Sequence, residues 1–152
     1  TRQLLTAAPL FHSLSDACVQ ALIHYLHGHT FAPGEYVFRE GMKSECIYII
    51  MTGEVDVRVP SALSSHPGNL LFTARTGDIL GEVGCVTGCP RTTDALAKGY
   101  VEAKALAKED LRSLCASFPL LCHRIRELAS ERTERYSGCS APCSRTASAA
   151  SG

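Results

Sequence analysis

The stretch GEVGCVTGCPRTTDALA, residues 81–97, sets one acid and one arginine among glycine, cysteine and threonine. Glu82 lies between Gly81 and the pair Val83-Gly84, and Arg91 and Thr92 follow Pro90. These types suit an oxygen-rich ligand. GEVGCV reads as a single helical turn, and the amino end of such a turn presents free N–H groups and partial positive charge to an anion. Gly81 and Gly84 let the backbone come close to a ligand. Arg91 adds a planar fork that grips phosphate through two bonds, and Thr92 adds a hydroxyl. An ionised carboxylate only accepts hydrogen bonds, so Glu82 suits a sugar hydroxyl rather than a phosphate. Together they describe a site for a ribose phosphate. The same residues also fit a plain Glu82–Arg91 surface ion pair, an arrangement worth about 0–1 kcal/mol.

A second clue stands near the end of the chain. In PLLCHRIRELASERTERY, Leu121, Ile125 and Leu128 recur at helical spacing, and the stripe continues to Arg132 and Tyr136. An arginine on a face that should be buried must reach solvent or meet a partner. Two readings follow: a frayed helix end with Arg132 in water, or a helix laid across a ligand with Arg132 facing it. In the second reading Arg132 has no partner while the pocket is empty, and the helix is then loosely held.

The elements around these residues change period along the chain. SLSDACVQALIHYL reads as a helix with Ser13 and Asp16 as a capping box, an apolar stripe through Val19, Leu22, Ile23 and Leu26, and Gly28 as its stop. The histidines near its end, including His24, His27 and His29, read as a solvated cluster in the helix end and following loop, because nothing nearby completes a metal ligand set. From residue 30 short strands take over: a Pro-Gly turn and strand in FAPGEYVFREG, a hairpin about Thr52-Gly53 in CIYIIMTGEVDVRV, a strand in NLLFTARTGDIL, and two strands across Lys98-Gly99 in TDALAKGYVEAKALA. PSALSSHPG reads as a loop of breakers. KEDLRSLCASF and the Pro119-led segment then return to helical period.

The predicted class is therefore α+β: a β-roll of about eight strands with an N-terminal helix and two C-terminal helices. Residues 1–12 read as a lead-in carrying the end of an upstream helix, 13–136 as the domain, and the Ser/Ala-rich 137–152 as a disordered tail. Fifteen Lys and Arg balance fifteen Asp and Glu, which argues against a general nucleic-acid or membrane-surface binder. No apolar run approaches the ~20 residues of a bilayer span. The start at Thr1 without methionine reads as a fragment or processed product, so membrane segments belong, if anywhere, outside this chain. The eight cysteines are scattered, mostly at apolar positions, and read as reduced thiols acting as small hydrophobes. No nucleophile–base pair or metal triad stands out, so no enzyme is expected.

Taken together, residues 9–136 resemble a cyclic nucleotide-binding domain. The marks are Pro33-Gly34-Glu35 before a strand, Gly41 after it, Gly53 in the hairpin turn, and a phosphate-binding cassette from Gly81-Glu82 through Pro90-Arg91-Thr92. The resemblance implies cAMP or cGMP as ligand, with no other cofactor and no metal. It implies Glu82 on the ribose 2′-OH, backbone from Gly81, Val83 and Gly84, Arg91 on the cyclic phosphate, Thr92 on the phosphate with a modest preference for cGMP, Arg132 and then Tyr136 at the base, and Phe72 and Ala74 lining the pocket. Arg-Thr in the cassette, the acidic-Leu helix and the Phe118-Pro119 break are most similar to cyclic nucleotide-gated and hyperpolarisation-activated cation channels. That likeness implies a sensor domain on the cytoplasmic side of a membrane, in a tetrameric parent channel such as a potassium channel, acting by docking of its last helix and touching no nucleic acid. The alternatives are a regulatory domain of a cyclic nucleotide-dependent kinase system, a degenerate channel domain that no longer binds, and a bacterial-type transcription regulator, which would need a DNA-reading segment after residue 136. Four residues depart from the pattern: Met42 in place of an acid, Leu80 in place of an aromatic, Cys85 in place of a leucine, and Asp94 in place of a small residue, where it is expected to weaken phosphate binding or draw Arg91 away.

Overall fold

The computed structural model describes Gln3, Leu5, residues 8–60 and residues 68–136. Most of the breaker loop (61–67) and the whole tail (137–152) lie outside the described residues. A 3-10 turn, Pro9–Phe11, leads into helix α1, Asp16–Tyr25. Eight strands follow: β1 His27–Phe31, β2 Tyr36–Phe38, β3 Cys46–Thr52, β4 Val55–Arg58, β5 Leu70–Ala74, β6 Ile79–Leu80, β7 Asp94–Ala97 and β8 Val101–Ala107. The short helix α2, Glu82–Thr87, interrupts them between β6 and β7, and α3, Lys108–Ser117, and α4, Pro119–Tyr136, close the described chain.

The strands form two antiparallel four-stranded sheets, ordered β1-β8-β3-β6 and β2-β7-β4-β5. Strand β3 shows why they close on one another. Successive side chains of a strand point to opposite faces. Ile47, Ile49 and Met51 therefore join Phe11, Leu22, Leu106, Leu111, Leu121 and Ile125 in a layer between sheet and helices. Ile50 instead joins Phe38, Val55, Val57, Ala74, Leu80 and Ala95 inside the roll, with Tyr48 packed against them. Each fully buried Ile or Leu contributes about 1.5–3 kcal/mol relative to exposure. Gly53 makes the β3–β4 turn at φ 92°, and a Cβ there would lie 2.3 Å from the Tyr100 carbonyl oxygen, so only glycine fits.

Three expectations need correction. Helix α1 is capped by Ser15, not Ser13: Ser15 is extended and its Oγ accepts the Cys18 N–H at 3.2 Å, whereas Ser13 sits at φ 66°, in the left-handed region. A cap residue needs the extended geometry that Ser15 has. Next, α1 ends at Tyr25 with Leu26 as its cap, so Gly28 does not stop it; Gly28, His27 and His29 belong to β1. That strand buries only Phe31 and is held at the sheet edge by its pairing with β8, which leaves no alternation to read. Finally, Cys18, Cys46, Cys85, Cys115 and Cys122 are free thiols, but Cys89 is disulfide-bonded, so the reading of all eight as reduced does not hold.

The C-terminal helices pack into the layer against the sheet through Leu111, Leu114, Leu121 and Ile125. Arg124 of α4 donates through Nη1 to the carbonyls of Leu10 and His12, tying that helix to the N-terminal turn. No described helix is long and apolar enough to cross a membrane.

Candidate functional site

The site is built where α2 meets β3 and α4, with Phe72 of β5 against Arg132 of α4. Gly81 caps α2 at φ 85° and places Glu82 at its first position, 1% exposed. Val83 is half-buried, and Gly84 and Cys85 are buried. The two cassette glycines were expected to admit a ligand. They admit the protein's own atoms instead: a Cβ on Gly81 would lie 2.3 Å from Arg91 Nη1, and one on Gly84 would lie 1.8 Å from Ser44 Oγ. Ser44 Oγ itself donates to the Cys89 carbonyl at 2.7 Å, and Cys85 Sγ reaches the Ser44 carbonyl at 3.7 Å. The cassette is thus pinned to the segment before β3. Burial pushes the Cys85 thiol up to about 11, with the nearby Arg91 opposing in part, so it stays a neutral packing group near pH 7.

Arg91 is 6% exposed. Its Nη1 donates to the Gly81 carbonyl at 3.0 Å and its Nη2 to the Cys46 carbonyl at 2.7 Å. The guanidinium lies 4.4 Å from the centre of the Phe38 ring. All three partners are neutral, and none of the ion pairs among the described residues includes Arg91. Its Nε is buried and has no acceptor. A buried cation that keeps a free donor is costly unless an anion completes it. The alternative reading of a Glu82–Arg91 surface pair does not hold: both residues are buried and none of the ion pairs among the described residues joins them. Asp94 does not draw Arg91 away: its Oδ1 accepts the Glu40 N–H at 2.8 Å. Thr92 follows Arg91 directly and is half-buried.

The last helix reaches the same place. Arg132 Nη1 donates to Oε1 and Oε2 of Glu82, both at 2.8 Å, and to the Ile79 carbonyl at 2.5 Å. Its guanidinium lies 4.6 Å from the centre of the Phe72 ring on β5. The expectation that Arg132 has no partner within the protein is thus corrected. The helix stripe does turn inward at Arg132, but it finds a carboxylate fixed in the protein. Phe72 is half-buried, and Ala74, two residues on along the same face, is fully buried in the roll interior opposite Val55. Tyr136 ends α4; its side chain lies outside the described residues.

The structure therefore gathers Gly81, Glu82, Gly84, Arg91, Arg132 and Phe72 around α2, with Ala74 behind. The sequence reading missed Phe38, Ser44 and the Cys46 and Ile79 carbonyls. Backbone acceptors leave no mark on sequence, and Phe38 reads there as one more strand aromatic. Among the described residues, no group of three His, Cys, Asp or Glu side chains is placed to hold a metal.

The family model described as cyclic nucleotide-binding domain matches residues 29–118. A cyclic nucleotide-gated potassium channel of Mesorhizobium japonicum is 28% identical over 130 residues, 86% of this chain and 34% of that protein. A CRP-like cAMP-activated global transcriptional regulator of Mycobacterium tuberculosis is 28% identical over 135 residues, 88% of this chain and 58% of the regulator. The regulatory domain of Toxoplasma gondii PKA, solved with cAMP, superposes with a TM-score of 0.74 at 18% identity, covering 89% of this chain and 49% of that one; this likeness is one of fold. The chain spans about a third of the channel it matches. With a two-sheet roll, flanking helices and a cassette whose acid and arginine are both buried in place, this chain belongs to the cyclic nucleotide-binding domain family.

Proposed function

We propose that this domain is the cyclic nucleotide sensor of a cation channel, holding cAMP or cGMP with Arg91 on the cyclic phosphate and Glu82 on the ribose. The observation that carries the reading is the state of Arg91: a buried guanidinium with neutral partners only and a free Nε. One phosphate oxygen on Nε and another on the remaining Nη protons would supply its missing acceptor and counter-charge together. Gly81, Val83 and Gly84 contribute backbone, Thr92 a hydroxyl, Phe72 and Ala74 a pocket wall, and Tyr136 a contact at the end of α4.

The chemistry asked of the site is recognition, not bond breaking. A ligand shifts a conformational equilibrium only by its differential affinity for the two states. Here the element able to differ is α4, which touches the cassette through Arg132 and the N-terminal turn through Arg124. In a channel, the chain upstream of that turn leads to the membrane segments of a tetramer, on the cytoplasmic side. The Arg91-Thr92 pair and the Phe118-Pro119 break, both channel-like, favour this setting over a kinase or transcription regulator.

The test is titration calorimetry with cAMP and with cGMP. Wild type should bind saturably, and Arg91→Ala should lose about a hundredfold or more, as for removal of one partner of a buried charged hydrogen bond. A thermal melt of the variant separates lost binding from lost fold. Binding unchanged in a folded Arg91→Ala protein would overturn the assignment, and no binding by wild type would mark the domain as degenerate.

A further inference from the structure

The backbone of Arg91 is docked on the segment just past β2. Its N–H donates to the Met42 carbonyl at 2.8 Å, and its own carbonyl accepts from the Gly41 N–H at 2.9 Å. The arginine therefore lies across the end of β2, beside Phe38. The register of β2 on β7 shifts between Tyr36 and Phe38, and Phe38 stands opposite the small Ala95. Such a bulge re-aims a side chain, and here the buried ring centre lies 4.4 Å from Arg91 Cζ. The ring is itself fixed. Tyr48 stacks on it at 6.4 Å with 25° between the planes, and Phe31 meets Tyr48 edge-on at 5.9 Å. The Tyr48 hydroxyl hydrogen-bonds the Cys46 thiol, and the Cys46 carbonyl accepts Arg91 Nη2 at 2.7 Å. Arg91, Phe38, Tyr48 and Cys46 thus form a closed loop of contacts through β2, β3 and the cassette.

We propose that Phe38 is a positioning residue for the phosphate: it fixes the plane of the Arg91 guanidinium, and with it which exocyclic oxygen of the cyclic phosphate the arginine takes. The proposal rests on the reading of Arg91 as the phosphate contact. The bonds from Nη1 to the Gly81 carbonyl and from Nη2 to the Cys46 carbonyl set the direction of the fork. They leave it able to tilt about the line between them. An aromatic face removes that tilt, because a planar cation gains most when it lies on the negative face of the ring. The Nε donor, buried and without a protein acceptor, lies in the same guanidinium plane. An oxygen must therefore approach Nε in the plane that Phe38 sets. A cyclic phosphate carries two exocyclic oxygens that point in different directions, and a fork held in one plane reaches one of them better. A leucine at residue 38 would still fill the roll, but it would leave the fork free to tilt. The aromatic ring adds geometry to volume.

Two measurements on the whole chain test it. In nitrogen-edited NMR, the ring current of Phe38 should move the Arg91 side-chain N–H protons upfield in wild type, and Phe38→Leu should return them downfield. Ordinary arginine shifts in wild type would overturn the proposal, whether or not the variant folds. In calorimetry with cAMP and with its two phosphorothioate diastereomers, Phe38→Leu should bind cAMP about tenfold more weakly, the scale of a desolvated cation–π contact. Its preference between the diastereomers should narrow. Phe38→Tyr, which keeps the ring face, should keep both affinity and preference. Thermal melts separate lost binding from lost fold. Unchanged cAMP affinity in a folded Phe38→Leu protein would overturn the proposal. So would an equal loss on both diastereomers, which would reduce Phe38 to core filling. If wild type binds no cyclic nucleotide, the phosphate reading falls and the proposal with it, while the NMR shift still reports whether the ring holds the guanidinium.

Discussion

Ser44 Oγ lies where a side chain on Gly84 would have to go: a Cβ at that position would sit 1.8 Å from it and 2.9 Å from the Cys89 carbonyl oxygen. The hydroxyl uses the gap to donate to that carbonyl at 2.7 Å. One small residue thus lets the segment before β3 clasp both turns around α2, and the clasp holds Glu82 and Arg91 in their places.

Gly84→Ala should therefore destabilise the domain by about 2–3 kcal/mol, as overpacking of a close contact does, and should weaken nucleotide binding more than a surface alanine does. Ser44→Gly added to it should recover part of the stability by vacating the space. Urea unfolding of the single and double variants measures both. Wild-type stability in Gly84→Ala would show that Ser44 simply rotates aside and that the clasp has no role.

Thr92 carries the choice between nucleotides in the proposed site. Its hydroxyl can serve the phosphate and a guanine amino group, whereas adenine offers no amino group at that place. Thr92→Ala should lower cGMP affinity by about 1 kcal/mol more than cAMP affinity, the worth of one hydrogen bond. Paired calorimetric titrations measure the difference. An equal loss for both nucleotides would reduce Thr92 to a phosphate contact.

The cassette thiol predicts an alkaline limit. Burial raises Cys85 from the ordinary 9.0 to about 11, so between those values the folded state keeps a proton that the unfolded chain has lost. The folded form then binds more protons, and stability falls as pH rises through the window. Below it, both states hold the proton and the thiol adds no pH dependence. The melting temperature should decline above about pH 9, and Cys85→Ala should flatten part of that slope. Cys115, raised in the same direction to about 12, accounts for a remainder. An unchanged slope in Cys85→Ala would show that the decline comes from elsewhere.

Much of the fold was legible from period alone. The β-branched and aromatic run of β3, the valine alternation of β4, the Gly53 turn and the stripe of α4 are local patterns that sequence displays directly. The short turn of α2 and the grouping of Glu82 and Arg91 about it followed from residue type and spacing; the burial of both did not. Edge strand β1 was not legible, because its stability is in backbone pairing to β8 rather than in its own side chains. The cap of α1 at Ser15 turned on one dihedral angle at Ser13.

Sequence by itself determined that Arg132 stands on a helix face whose neighbours must be buried and that Glu82 and Arg91 flank one glycine-rich turn; it did not show that Glu82 and Arg91 are themselves buried. Only the tertiary structure decided who meets whom. Arg91 turns to the Gly81 and Cys46 carbonyls and the Phe38 ring, and Glu82 turns to Arg132, 50 residues away. Local spacing made Glu82 and Arg91 natural partners. The packing of α4 over α2 brought a nearer guanidinium, and a buried carboxylate takes the charge that the fold puts within reach.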